Sequence, residues 1–167
     1  MRWAVADIDD VPAGDGWLGA DERAVLATLT GSRRRAEWRL GRWAAKQLLG
    51  AGAQTLVAAD GAPVADLPVS ISHRRGRALA AVADDGVAVG CDIEPLREDR
   101  DVVPFVAWEA AAKALRRPLL GGARPEVEVE ARGFTVRWPD GAVARGEWWV
   151  DDGWAFAVAR AGVSPRT

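Results

Sequence analysis

The chain has 167 residues, 49% of them hydrophobic and 28% charged, with a formal net charge of −2. That size suits one domain or two small halves, the composition excludes a disordered chain, and the near-neutral charge excludes bulk attraction to nucleic acid or a membrane surface. One cysteine and one histidine exclude an internal disulfide and a zinc site of conventional spacing, and with no long apolar run and no charged-then-apolar leader at Met1 a cytoplasmic location is expected.

Residues 1–8 alternate as a strand does, and DDVPAGDG after them is loop chemistry. Asp21 reads as the N-cap of a helix beginning at Glu22. After Gly31-Ser32, the segment RRRAEWRLGRWAAKQLLG carries Trp38, Ala45, Leu48 and Leu49 at helical spacing and stops at Gly50 and Gly52. Arg35, Arg39, Arg42 and Lys46 fall on one stripe of that helix, which makes the stripe a candidate anion site or a solvated face. A turn at Asp60-Gly61 leads into LPVSISH, then RALAAVA, then VAVGCDIE, with turns at Arg74–Gly76 and Asp84–Gly86 between them. Local signals alone join these three strands into a meander. Phe105, Trp108, Ala112 and Leu115 space a second helix over 103–115, ending at Arg116-Arg117-Pro118. VEVEA, GFTVRW, ARGEWWV and WAFAVARA then read as strands. The nine tryptophans spread over the whole chain and read as packing residues.

The segments SISHRRGRALAAVAD and EWWVDDGWAFAVARA are both strand, tight turn, strand, and each follows a helix. The order suggests an α+β fold of two related subdomains, 1–86 and 87–160, sharing a packed face, with a tail at 161–167.

The most informative stretch is VAVGCDIE. A strand places residues i and i+2 on one face, so Asp92 and Glu94 point the same way, while Val87, Val89, Cys91 and Ile93 make the other face apolar. Ala88 and Gly90 leave the acidic face free of bulk just before the carboxylates. Glu109 and Lys113 sit at i and i+4 on the second helix; alone they make an ordinary exposed ion pair, but Glu109 is close enough in sequence to complete a three-carboxylate set. Three such oxygens suit magnesium, which takes its remaining ligands from water and phosphate. His73, next to Arg74 and Arg75 at the end of SISH, reads either as a hydrogen-bonding residue or as part of a phosphate contact with Ser70 and Ser72.

Taken together, SISH (70–73), VGCDIE (89–94) and the helix FVAWEAAAK (105–113) resemble the 4′-phosphopantetheinyl transferases of the larger, pseudo-dimeric class that activates surfactin synthetase. Glu37, Trp38, Gly41 and Arg42, the DGAP…DLP approach to the histidine strand, and the closing GWAFAVA strand also have counterparts there. The resemblance implies a pseudo-twofold pair of α/β subdomains. It implies magnesium-dependent transfer of the phosphopantetheine arm of coenzyme A to a serine of an acyl or peptidyl carrier protein, in a secondary-metabolite pathway. Asp92, Glu94 and Glu109 would hold the metal, Glu109 would help remove the serine proton, and Lys113 would neutralise the leaving 3′,5′-ADP. Ser72 and His73, helped by Arg33, would contact the 3′-phosphate and nucleotide end. Coenzyme A and the carrier protein are the implied partners, with no nucleic acid and no membrane, and a monomer is the working assembly.

The chain departs from the family at three places: Ala62 and Trp108 stand where basic residues are usual, and only fourteen residues separate Glu94 from Glu109, where relatives insert a carrier-binding loop and helix. The alternative is a member that binds coenzyme A or a carrier protein without transfer. A nucleic-acid module using the arginine stripe is a third reading, opposed by the acidic net charge.

Overall fold

The structure, a computed structural model, describes residues 1–58, 61–119 and 124–162; Asp60 of the expected turn and residues 163–167 of the expected tail lie outside them. The chain divides into two units, Met1–Gly86 and Val87–Thr167. Both combine helix with antiparallel sheet, so the fold is α+β.

The first unit runs β1 (Arg2–Asp7), a 3₁₀ turn at Ile8–Asp10, α1 (Ala20–Thr28), α2 (Ser32–Leu49), the two-residue strands β2 (Leu56–Val57) and β3 (Pro63–Val64), then β4 (Val69–Arg74) and β5 (Arg77–Val82). The β4–β5 hairpin turns through Arg75 and Gly76, both at positive φ (46° and 84°), the backbone that matches the right-handed twist of the strands it joins. Ala78, Ala80 and Val82 alternate along β5 and bury against Leu40, Ala44 and Ala45 of α2. Helix α1 begins earlier than Asp21 suggests. Gly19 is its N-cap, and the Glu22 side chain turns inward and accepts the Gly19 N–H at 2.8 Å.

The expected meander is wrong at its third strand. Strand β5 lies between β4 and β1, and its register runs from Arg2 opposite Val82 to Asp7 opposite Arg77. The Arg77–Asp7 ion pair, 2.7 Å, fixes the end of that register. Sequence-adjacent strands usually pair, which is why the local pattern pointed to the wrong neighbour.

The VAVGCDIE segment supplies β6 (Val89–Pro95) of the second unit instead. It is followed by α3 (Val103–Ala114), β7 (Glu126–Val129), β8 (Gly133–Arg137), β9 (Val143–Asp151) and β10 (Trp154–Ala161), in sheet order β6-β10-β9-β8-β7. Strand β10 includes Ala161, the residue at which a tail was expected to start. The β9–β10 turn repeats the earlier one, with Asp152 and Gly153 at φ 47° and 75°. Helix α3 buries Val106, Ala107, Ala110, Ala111 and Ala114 against Ala155, Ala157 and Ala159 of β10, with Phe134, Val136 and Ala144 completing the core. Its start is sharp because the Asp101 carboxylate accepts the Val103 N–H at 3.1 Å and Pro104 occupies the first turn.

Several tryptophans serve packing, as their spread suggests: Trp138 is buried beneath the Arg117 guanidinium, Trp149 stacks on Phe156 at 5.1 Å, and Trp17 meets Trp43 edge-on at 5.4 Å. Among the described residues no helix is long and apolar enough to cross a membrane.

Candidate metal centre

Asp92 and Glu94 stand on one face of β6, and α3 packs over that face. The space that Gly90 leaves free of bulk is taken by helix backbone, while Ala88 is exposed and Asp92 is buried with a side chain only 3% exposed. Glu109 and Lys113, one turn apart on α3, descend onto the two strand carboxylates. One oxygen from each of Asp92, Glu94 and Glu109 lies within 4.8 Å of the others. Lys113 is not an exposed partner of Glu109. Its Nζ donates to Asp92 Oδ1 at 2.7 Å and to the Cys91 carbonyl at 3.1 Å, and it stands 3.9 Å from Glu109.

Three carboxylates converge beside the Lys113 ammonium. Burial, followed by the charge of Asp92, pushes Glu109 up to about 7, with Lys113 opposing, and a hydrogen bond to Asp92 and the charge of Glu94 add to the rise. For Lys113 the largest influence, burial, acts to lower the pKa, but Asp92 and its other neighbours outweigh it and the ammonium is held above its usual value. The donors are all oxygen and all anionic, with neither sulfur nor imidazole, which fits magnesium better than a softer metal.

Ser72 and His73 belong to the first unit, on β4, opposite Leu79 and Ala78 of β5; His73 is exposed and Ser72 half-buried. Arg33 is at the exposed start of α2, 3.8 Å from Glu37. The stripe below it is not a free anion site. Arg35 donates to the Leu26 carbonyl at 2.7 Å, Arg39 to the Pro12 carbonyl at 2.6 Å, Arg42 to the Thr55 carbonyl at 3.1 Å, and Lys46 pairs with Glu22 at 2.8 Å. These cations pin the segments before and after α2 to the helix. Of the two positions where the resemblance leads one to expect a basic residue, the Ala62 carbonyl accepts the Ala58 N–H in the β2–β3 turn, and Trp108 packs against the core with its ring edge-on to Phe105.

Two contributors were not picked out as site residues. One is the Cys91 carbonyl, whose role a side-chain reading cannot show. The other is Gly90, where a Cβ would lie 2.0 Å from the Ala110 carbonyl oxygen and 2.4 Å from the Ala114 nitrogen. A glycine inside an otherwise apolar strand was the available signal, since such a residue often marks a close backbone approach.

No protein-family model matches the chain, and comparison with curated proteins gives no match.

Proposed function

We propose that this protein is a magnesium-dependent 4′-phosphopantetheinyl transferase that modifies a serine of an acyl or peptidyl carrier protein with the phosphopantetheine arm of coenzyme A. The observation that carries the reading is the convergence of Asp92, Glu94 and Glu109 beside Lys113. It is joined by a shared connectivity: in each unit a strand, a long helix and a hairpin follow in order, and the last strand pairs with the first (β1-β5-β4; β6-β10-β9). That recurrence supports the reading of two related units.

In this reading the three carboxylates hold magnesium, which when bound supplies charge neutralisation at the pyrophosphate of coenzyme A. The serine oxygen forms a bond to the β-phosphorus, and the bond from that phosphorus to the oxygen of 3′,5′-ADP breaks. Glu109, directly or through a water, accepts the serine proton. Lys113 offsets negative charge on the departing 3′,5′-ADP. Such a transfer rests mainly on positioning and charge stabilisation, which this cluster is equipped to provide. Ser72 and His73, with Arg33, are assigned to the nucleotide end on the strength of the sequence resemblance.

The test is intact-mass analysis after incubation with coenzyme A, magnesium and a panel of apo carrier proteins. A phosphopantetheine adduct is expected with the wild type and is lost in Asp92→Ala and Glu109→Gln. Absence of an adduct on every carrier tested overturns the transferase reading; coenzyme A binding retained in that case favours the binding-only alternative.

A further inference from the structure

The charged groups of the centre come from two elements, and their separation depends on how closely α3 approaches β6. At most helix–sheet contacts side chains hold the backbones apart. Here the helix backbone rests on Gly90, where an added Cβ would stand 2.0 Å from the Ala110 carbonyl oxygen, 2.4 Å from the Ala114 nitrogen and 3.0 Å from Lys113 Cβ. The first two neighbours are backbone atoms, so no rotamer change relieves them. The surrounding surface is also built of small groups: Ala107, Ala110, Ala111 and Ala114 from α3 meet Ala155, Ala157 and Ala159 from β10.

We propose that Gly90 is a positioning residue whose missing side chain seats α3 at the depth that brings Glu109 and Lys113 to Asp92 and Glu94. The proposal rests on the reading of these carboxylates as a cation site. Gly90 precedes Asp92 by two residues on the same face of β6, and the helical turn it supports, 110–114, contains Lys113 and directly follows Glu109. Any β-carbon at position 90 requires the turn to lift from 2.0 Å toward an ordinary contact near ~3.4 Å, a displacement of more than about 1 Å. Lys113 Nζ and Asp92 Oδ1, now 2.7 Å apart, separate, and the oxygens now within 4.8 Å spread. Ligand and catalytic groups tolerate only about 0.5 Å of such error.

The experiment compares Gly90→Ala with wild type at a temperature where both are folded by circular dichroism. Magnesium affinity by calorimetry is expected to fall at least tenfold. Acetylation of Lys113, followed by mass spectrometry in metal-free buffer, is expected to run several-fold faster as its ion pair opens. Val136→Ala on β8, three strands from β6 in the sheet, trims the same core and serves as control; it lowers stability while leaving both readouts at wild-type values. If Gly90→Ala does not fold, Ala157→Val replaces it. Ala157 is the register partner of Asp92 and packs in the α3 core, so added bulk there raises the floor under the helix. A threefold or greater loss of magnesium affinity is expected.

Wild-type values in the position-90 variant, or equal losses in Val136→Ala, overturn the proposal. Should wild type bind no magnesium, the cation reading fails while Lys113 acetylation still decides whether Gly90 seats the helix.

Discussion

In each unit a lysine near the C-terminal end of a long helix pairs with a buried carboxylate, Lys46 of α2 with Glu22 and Lys113 of α3 with Asp92, and the two surroundings differ. Glu22 also accepts the N–H groups of Gly19 and Thr55, Lys46 also donates to the Ala53 carbonyl, and both side chains are at most 2% exposed. Positive charge here at least matches negative, since the Arg42 guanidinium also acts on Glu22, and backbone groups complete the set. Lys113 instead pairs with Asp92 and stands 3.9 Å from Glu109 at the edge of a three-carboxylate cluster, and keeps 28% of its side chain exposed. The balanced pair ties α1 and the segment at Thr55 to α2. In the reading proposed above, the acidic group takes a further positive charge, as a proton on Glu109 or as a cation. Charge count, more than depth of burial, distinguishes the clamp from the candidate centre.

The strongest way to break the contrast is to remove each lysine. Lys46→Met removes the ion-pair partner of the buried Glu22 carboxylate and leaves it two backbone N–H groups and the more distant charge of Arg42; removing one member of a buried pair costs about 3–5 kcal/mol. Urea unfolding followed by tryptophan fluorescence should show a loss of that size, and replacing Glu22 by Leu in the same chain should recover much of it. Lys113→Met should cost less than half as much, because Glu109 can take up a proton in place of the ammonium. Equal losses at the two sites would erase the distinction between clamp and centre.

The pH dependence of the metal-free protein sharpens it further. Glu109 has a folded pKa of about 7 against 4.5 when unfolded, so between these values the folded chain binds the extra proton. Its contribution is complete below about pH 4.5 and is lost as pH rises through about 7. The loss across that window is smaller than the full shift would give, because the carboxyl is partly screened by solvent. Urea midpoints measured from pH 4.5 to 8 should fall with rising pH in wild type, and the fall should be much reduced in Glu109→Gln. A wild-type curve that rises over this range would contradict the account of burial and carboxylate repulsion given for the centre.

Much of the local structure was legible in the sequence. The helix expected over 103–115 is present at Val103–Ala114, and both hairpins form at residues with the required left-handed backbone, Arg75-Gly76 and Asp152-Gly153. Asp92 and Glu94 could be placed on one face because strand alternation is a local rule. Strand pairing was not legible: β5 prefers β1, some seventy residues earlier in the chain, and nothing between RALAAVA and VAVGCDIE signals that the next strand leaves for another sheet. The arginine stripe misled for a related reason. Helical spacing shows that Arg35, Arg39, Arg42 and Lys46 align, but the carbonyls and the carboxylate that occupy them come from loops and from α1, whose courses have no periodicity to read. Similarly, Gly90 showed where bulk was missing, and only tertiary structure shows that helix backbone fills the space.

The smallest expected effect bears most directly on the centre. A ligand that binds only the folded state stabilises it by RT ln(1 + [L]/Kd), about 1.4 kcal/mol at ten times Kd. Magnesium should therefore raise the melting temperature of wild type progressively with concentration, beyond the shift given by sodium chloride at matched ionic strength, because general screening acts on every surface charge while coordination needs the three converging carboxylates. Asp92→Asn is the informative variant. It keeps the side-chain size and an oxygen that can accept from Lys113, yet removes one of the anionic ligands, so the magnesium-specific shift should disappear while the sodium response remains. The balanced pair supplies the counter-test: Glu22→Gln lowers stability in the first unit and should leave the magnesium increment unchanged. If Asp92→Asn retains the full increment, or if sodium reproduces it in wild type, the acidic cluster around Asp92 is not a divalent-cation site and the contrast with Lys46–Glu22 reduces to a difference in proton binding.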